Sequence, residues 1–231
     1  MIKKSSLLLI LCFFHLAAAQ IYLDVNAEIA SRYAFRRFVP AGAVPVFALN
    51  ASAYLTKYNI SIAPWYVNSL GNFSAYRETG ILLNYYHELR ERMYLSGGIS
   101  ATFYPGRSDM PDATLALNLN FSDLKSRIPY FIESHFDPFI RSWYWKFSAA
   151  YTWDTFLPFQ FMLGAGLDLF PHTCFGVSMP AGLSDISLQA GTYLALKNWY
   201  ITPKMTYIIP WNVPAGPKML LAAKVNIGYT F

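Results

Sequence analysis

From Ile21 onward the chain alternates. Ile21, Leu23, Val25, Ala27 and Ile29 fall on one parity, and Tyr22, Asp24, Asn26 and Glu28 on the other. A period of two is what a strand shows when its two faces meet different solvents. The final segment repeats it, with Met219, Leu221, Ala223, Val225, Ile227, Tyr229 and Phe231 against Lys218, Lys224, Asn226, Gly228 and Thr230. Between these ends, further alternating stretches run near 44–55, 57–67, 79–89, 93–104, 112–122, 128–136, 142–153, 156–169, 185–196 and 198–209. Together they predict about twelve strands, an even number as in single-chain bacterial barrels. Each approximates the roughly 9 to 11 tilted residues that cross a bilayer's hydrocarbon. The oily face is clearest along Leu115, Leu117, Leu119 and Phe121, along Trp143 to Trp153, and along Leu157 to Leu169.

The connectors alternate in length, as short periplasmic turns and longer outer loops do in such barrels. Thr56, Arg90 to Arg92, Asp154-Thr155 and Lys197 mark tight turns, and Ser122 to Ser126 a slightly longer one. The connectors 32–43, 68–78, 105–111, 137–141, 170–184 and 210–217 are longer and hold most of the prolines. The stretch 128–136 is the weakest strand, because Ser134 interrupts its oily parity and Pro129 lies within it. Without it and one neighbour the chain would make a ten-strand barrel.

Composition agrees with a bilayer as one of the two solvents. The chain is 55% hydrophobic, 13% charged and 18% aromatic, and Tyr and Trp favour membrane interfaces. Beyond residues 1–19 no apolar run reaches the roughly 18 residues of a helical span. A soluble sandwich or lipocalin-like barrel also alternates, but its polar face meets water and carries more charge. Here that face is small and uncharged at Ser96, Gly98, Ser100, Thr102, Asn118, Asn120, Gly164, Gly166 and Gln189. The expected fold is an all-β, antiparallel up-and-down transmembrane β-barrel over residues 20–231.

Residues 1–19 read as a secretory signal, with basic Lys3 and Lys4, an apolar centre from Leu7 to Phe14, and Ala17-Ala18-Ala19 as the cleavage site. Cleavage near Ala19 removes Cys12 and leaves Cys174, so no internal disulfide is expected. The formal charge of +5 includes the two signal lysines, and the remainder is too mild and too scattered for nucleic acid.

If the polar parity faces inward, barrel closure brings Asp24 and Glu28 on the first strand close to Lys224 on the last, with Lys204 one strand further round. Lys146 and Asp168 make a second expected pair, and Lys57 and Glu88 lie nearer the periplasmic end. Fixed charges in a low-dielectric wall set pore selectivity. These six residues, Asp24, Glu28, Lys146, Asp168, Lys204 and Lys224, are therefore the constriction candidates of a narrow channel for small polar or ionic solutes. The same charges would also serve as salt bridges in a plugged structural or adhesin barrel. Tyr86, Tyr94, Tyr104, Tyr144, Tyr193 and Tyr200 share the inward parity as a stacking slide or as filler.

Catalysis by a barrel-type lipid-modifying enzyme finds thin support. Glu133-Ser134-His135 offers the residue types of a triad, but on a strand Ser134 points away from the other two. His87 lies on the apolar parity. His172 beside Cys174 lacks further metal ligands, and Asp109, Asp112 and Asp137 are the remaining rim acids. No cofactor or metal is expected.

The ending Val225-Asn226-Ile227-Gly228-Tyr229-Thr230-Phe231 resembles the C-terminal signature of outer-membrane proteins. That resemblance implies that Val225, Ile227, Tyr229 and Phe231 are read by the barrel-assembly machinery, and that outer-membrane lipid surrounds the product. The chain also resembles a TorF-like family of outer-membrane porins of uncharacterised role. The likeness lies in Ser31 to Arg36 after the first strand, in the strand containing Trp65, in Gly182 to Leu188 opening a late strand, and in Gly228 to Phe231. Arg37 stands where such members tend to have glycine. The resemblance implies a porin-like barrel without naming a solute. A further likeness, to OmpW-type barrels through Ala181 to Leu188, implies eight strands, fewer than the alternating segments found here.

Overall fold

The computed structural model describes residues 21–33, 44–70, 76–106, 113–153, 158–174, 177–211 and 219–231. The expected signal segment, Asp109, Asp112 and the turn at Asp154-Thr155 lie outside them. The strands are β1 (Ile21–Ala30), β2 (Val46–Leu55), β3 (Ile60–Ser69), β4 (Arg77–Arg90), β5 (Met93–Phe103), β6 (Ala113–Asp123), β7 (Tyr130–Asp137) and β8 (Ser142–Trp153). They continue with β9 (Phe159–Asp168), β10 (His172–Cys174), β11 (Val177–Met179), β12 (Gly182–Thr192), β13 (Leu194–Leu196), β14 (Trp199–Pro210) and β15 (Leu220–Thr230).

Neighbours in sequence pair antiparallel from β1 to β9, and β12 then joins β9 to β14. The ring closes where β15 pairs with both β14 and β1, through a register that sets Asp24 opposite Thr230 and Ala30 opposite Lys224. Twelve long strands thus form a closed antiparallel barrel with no unpaired edge, which is what a strand must do where water is absent. Backbone bonds tie the seam at both ends: Ser31 N–H donates to Ala223 O at 2.8 Å and Phe231 N–H to Leu23 O at 2.8 Å.

Both terminal strands have their free ends at one rim, which the loop rule makes the inner one. Three of the turns described there are short: a 3-10 turn over Thr56–Tyr58 closing on left-handed Asn59, and two turns with Arg92 and Lys197 in the same backbone region.

The oily parity faces out. Ile99, Leu117, Leu163 and Leu221 are each about half exposed, a waste of apolar surface in water and the expected surface against hydrocarbon. At the inner rim Trp199 packs edge-on against Tyr229, and Tyr229 against Phe231, with ring centres 4.9 and 4.6 Å apart. Such amphipathic rings belong at the headgroup level.

Two local departures explain themselves. Ser134 on β7 does point outward, where its hydroxyl accepts a bond from Trp143 Nε1 on β8 at 2.9 Å. The indole covers it, so the interrupted parity costs little in lipid. Near the start of β12 the register slips between Leu183 and Asp185 against β9, leaving Ser184 as an extra, fully buried residue. The bulge lets Leu183 and Ile186 both face out although they stand three apart, something a count of alternation misses.

The connector 170–184, expected as one loop, contains the small β10–β11 hairpin and the first three residues of β12. Three-residue arms are too short to display a period.

Inside, several aromatic rings lie flat over a glycine of the adjacent strand. Trp65 faces Gly80 and Tyr200 faces Gly228 in register. A Cβ on either glycine would stand 2.2 Å from the ring. Glycine is needed there to seat the ring, and the ring restores the apolar contact that glycine lacks.

Candidate functional site

The polar parity encloses a central cavity of about 510 Å³. Its charged lining comes from six strands: Glu28 on β1 with Arg32 just beyond it, Glu133 on β7, Lys146 on β8, Asp185 on β12, Lys204 on β14 and Lys224 on β15. A cavity of about 230 Å³ adjoins it toward the outer rim and shares Asn118 and His135 with it. One of about 240 Å³ adjoins it toward the inner rim and shares Gln189 and Lys204. The lumen thus holds three adjoining cavities, of which the central one carries most of the charged side chains.

Of the six constriction candidates, four line the central cavity: Glu28, Lys146, Lys204 and Lys224. Lys224 Nζ donates to Glu28 Oε2 across the seam at 2.7 Å, with both side chains largely covered. Lys204 lies directly opposite Lys224 in the β14–β15 ladder. Like charges in direct cross-strand opposition are destabilising, so this placement opposes folding rather than aiding it.

Asp24 sits nearer the inner rim, where it accepts hydrogen bonds from Tyr200 at 2.8 Å, from Thr230 at 3.1 Å and from Asn26 at 3.1 Å. It fastens β14, β15 and β1 together at the closing seam. Asp168 is almost fully buried toward the outer rim, opposite Tyr144. The expected pairing of Lys146 with Asp168 does not match the register, which sets Lys146 opposite Gly166 on β9 and Glu133 on β7. Both residues share a face, but two positions of offset separate them.

The outer part of the lumen is organised by a carboxylate that the sequence reading passed over. Glu78, only 6% exposed, accepts Trp65 Nε1–H at 2.7 Å, the Tyr33 hydroxyl at 3.3 Å and the Tyr76 hydroxyl. Burial, with the Glu78 carboxylate adding to it, pushes the Tyr33 and Tyr76 hydroxyls well above the ordinary phenol range, so they stay protonated donors. Around this knot pack Ala30, Val46, Ala48, Val67, Tyr104 and Cys174, an apolar cluster inside the outer end of the barrel. Tyr33, just beyond β1, and Cys174, in the β10–β11 hairpin, are thereby held at the outer end of the barrel. The only available signal was a Glu close behind Tyr76 on an inward parity, one of several inward acids.

The tyrosines expected as a slide are dispersed. Tyr86 is within 3.3 Å of Ser61 Oγ, Tyr144 donates to Asp185 at 3.1 Å, and Tyr104 is buried in the outer cluster. Tyr193 and Tyr200 do stack, with centres 5.6 Å apart near the inner cavity.

For catalysis, Glu133 and His135 face the lumen while Ser134 is bonded on the outside, so the three do not converge. His135 Nδ1 lies 2.7 Å from Asn118 Oδ1. His172 Nδ1 lies 3.1 Å from the Phe170 carbonyl, and Asp137 accepts the turn N–H groups of Phe139 and Ile140. Among the described residues no three His, Cys, Asp or Glu side chains are grouped to hold a metal ion.

No family model and no curated protein matches the sequence. Solved structures do resemble it. The KdgM porin, in complex with disordered oligogalacturonate, aligns with a TM-score of 0.58 at 11% identity over 91% of this chain and 99% of its own. An outer-membrane channel from Pseudomonas putida F1 aligns at 0.55 and 11% identity, over 92% and 96%. The NanC porin aligns at 0.55 and 12% identity, over 90% and 98%. The chain thus shares the fold of small outer-membrane porin-like channels, a closed barrel of twelve antiparallel strands.

Proposed function

We propose that the protein is a narrow outer-membrane channel that passes small polar or ionic solutes. The observation that carries this reading is the series of adjoining cavities, with charged and amide side chains at the central one, inside a barrel whose exterior is apolar. A wall lined by fixed charges and neutral amides is what a hydrated solute needs to cross a low-dielectric layer. A fold shared with a porin solved with oligogalacturonate supports it.

The test is current through the refolded protein in a planar bilayer. Discrete, salt-dependent steps are expected. Lys204→Glu with Lys224→Glu should shift the reversal potential in a salt gradient toward cation preference, without abolishing the steps. Silence of the wild-type protein would remove the channel reading.

A closed structural barrel is the second reading, favoured by the apolar cluster that the Glu78 knot holds inside the outer end. In that case the Lys→Glu changes would lower stability and no current would be seen.

Export by the N-terminal segment and recognition of Val225, Ile227, Tyr229 and Phe231 by the barrel-assembly machinery complete the proposal. Phe231 is exposed at the inner rim, as a residue read by another protein must be. Deleting Phe231 should cut the amount of folded protein in the outer membrane several-fold while leaving refolding in detergent intact. An unchanged membrane yield would refute its role as a signal.

A further inference from the structure

We propose that the central cavity is a binding subsite for a small hydroxylated carboxylate, held by Lys204, which stands beside the Lys224–Glu28 ion pair, and by Lys146 on β8. The proposal deepens the channel reading and rests on it for the solute's access.

Three features of the cavity point this way. First, its four cations, Arg32, Lys146, Lys204 and Lys224, outnumber its three acids, Glu28, Glu133 and Asp185. Glu28 is engaged by Lys224. Asp185 is only 2% exposed and takes the Tyr144 hydroxyl. Glu133 faces Lys146 across β7 and β8 without forming an ion pair among the described residues. Neither Lys204 nor Lys146 has a carboxylate within ion-pair distance among those residues, and Arg32 Nε, at the same cavity, has no hydrogen-bond partner.

Second, Lys204 stands directly opposite Lys224 in the β14–β15 ladder and lines the same cavity as Lys146. A partly desolvated ammonium facing like charges is a cost that folding alone does not recover. An anion between the amines would recover it.

Third, the space beside the lysines is cleared by small residues. Lys146 runs over Gly164, its Cε 3.2 Å from where a Cβ would stand, and Ser187 Oγ is 2.9 Å from the same point. Asn120, Gln189 and Thr206 complete the wall as neutral donors and acceptors. Charged donors for one end of a ligand and amides and hydroxyls for the rest suit a carboxylate bearing several hydroxyls. A cavity of about 510 Å³ is within the range of small-molecule sites, on the order of 300 to 1,000 Å³.

The experiment titrates refolded full-length protein in detergent micelles with gluconate, and separately with sorbitol, which keeps the hydroxyls and lacks the carboxylate. Heat of binding is the readout. Gluconate should bind saturably and sorbitol at least about tenfold more weakly, since loss of a charge-assisted contact changes affinity by that order. Lys204→Gln should weaken gluconate about tenfold or more. Lys204→Arg should retain it, which separates loss of charge from loss of fold, and Lys125→Gln on the exposed inner turn should leave it unchanged. Equal affinity for the two probes, or an unchanged affinity in Lys204→Gln, would overturn the subsite. The bilayer current is measured on the same preparation. Current without gluconate binding removes the subsite and leaves the channel. Binding without current removes the channel and leaves the subsite.

Discussion

Glu78→Ala is expected to cost about 2 to 4 kcal/mol of stability, since one buried and two half-buried donors lose their acceptor, at roughly 1 to 3 kcal/mol for the buried one and less for the two that water can partly reach. The donors are Trp65 Nε1–H and the hydroxyls of Tyr33 and Tyr76. They arrive from β3, from the chain after β1 and from the chain before β4, so no single rearrangement satisfies all of them. Glu78→Gln keeps one acceptor oxygen and should cost distinctly less. Urea unfolding in lipid vesicles, followed by tryptophan fluorescence, measures both, with Trp65 as a local reporter. If the alanine variant unfolds within about 1 kcal/mol of the wild type, the knot does not hold the outer end in the way described. The channel reading adds a second consequence. Releasing Tyr33 frees the stem of the first outer connector, so the surviving Glu78→Gln barrel should show a larger single-channel conductance.

Gly228→Val should be comparably damaging, at roughly 3 kcal/mol. Overpacking accounts for about 1 to 3 kcal/mol of that, because the new Cβ would stand 2.2 Å from the Tyr200 ring. The rest comes from the bond between the Tyr200 hydroxyl and Asp24, 2.8 Å long, which a displaced ring loses. That bond reaches from β14 to β1 across β15 at the seam, so its loss weakens closure itself. A double-mutant cycle checks the cause: in a Tyr200→Ala background the Gly228→Val penalty should largely vanish, since no ring is left to displace. Penalties that simply add would show that valine harms β15 for some other reason, such as its own pairing.

Much of the barrel was legible because alternation is local. Whether Leu117 or Asn118 faces lipid depends only on parity within one segment, and the segments near 93–104, 112–122 and 142–153 match β5, β6 and β8 to within a residue or so. The interrupted stretch around Ser134 was legible too, since one polar residue among Tyr130, Ile132 and Phe136 does not erase a period. The β10–β11 hairpin and the Ser184 bulge were not, because a three-residue arm shows no repeat and a bulge looks like noise in one.

The site was legible only as a set of inward residues. Glu28 and Lys224 could be brought together from sequence because closure makes the first and last strands neighbours, and they form the ion pair. Lys146 and Asp168 were matched on the same kind of argument and fall out of step, since the depth of a residue depends on the register of each ladder and not on the strand it occupies.

Sequence by itself determined that this chain makes two-faced strands, how many, which face of each is oily and that the ends meet. Each of those properties is written in neighbouring residues. Only the tertiary structure decided that Lys204 stands opposite Lys224, that Glu78 gathers Tyr33, Trp65 and Tyr76, and that Asp24 fastens the seam instead of lining the central cavity. Apart from Tyr76, two residues from Glu78, those contacts join distant residues, 13 positions apart for Trp65 and Glu78 and 176 for Asp24 and Tyr200. They depend on the stagger accumulated around the ring, to which every turn and bulge contributes and which no single segment records.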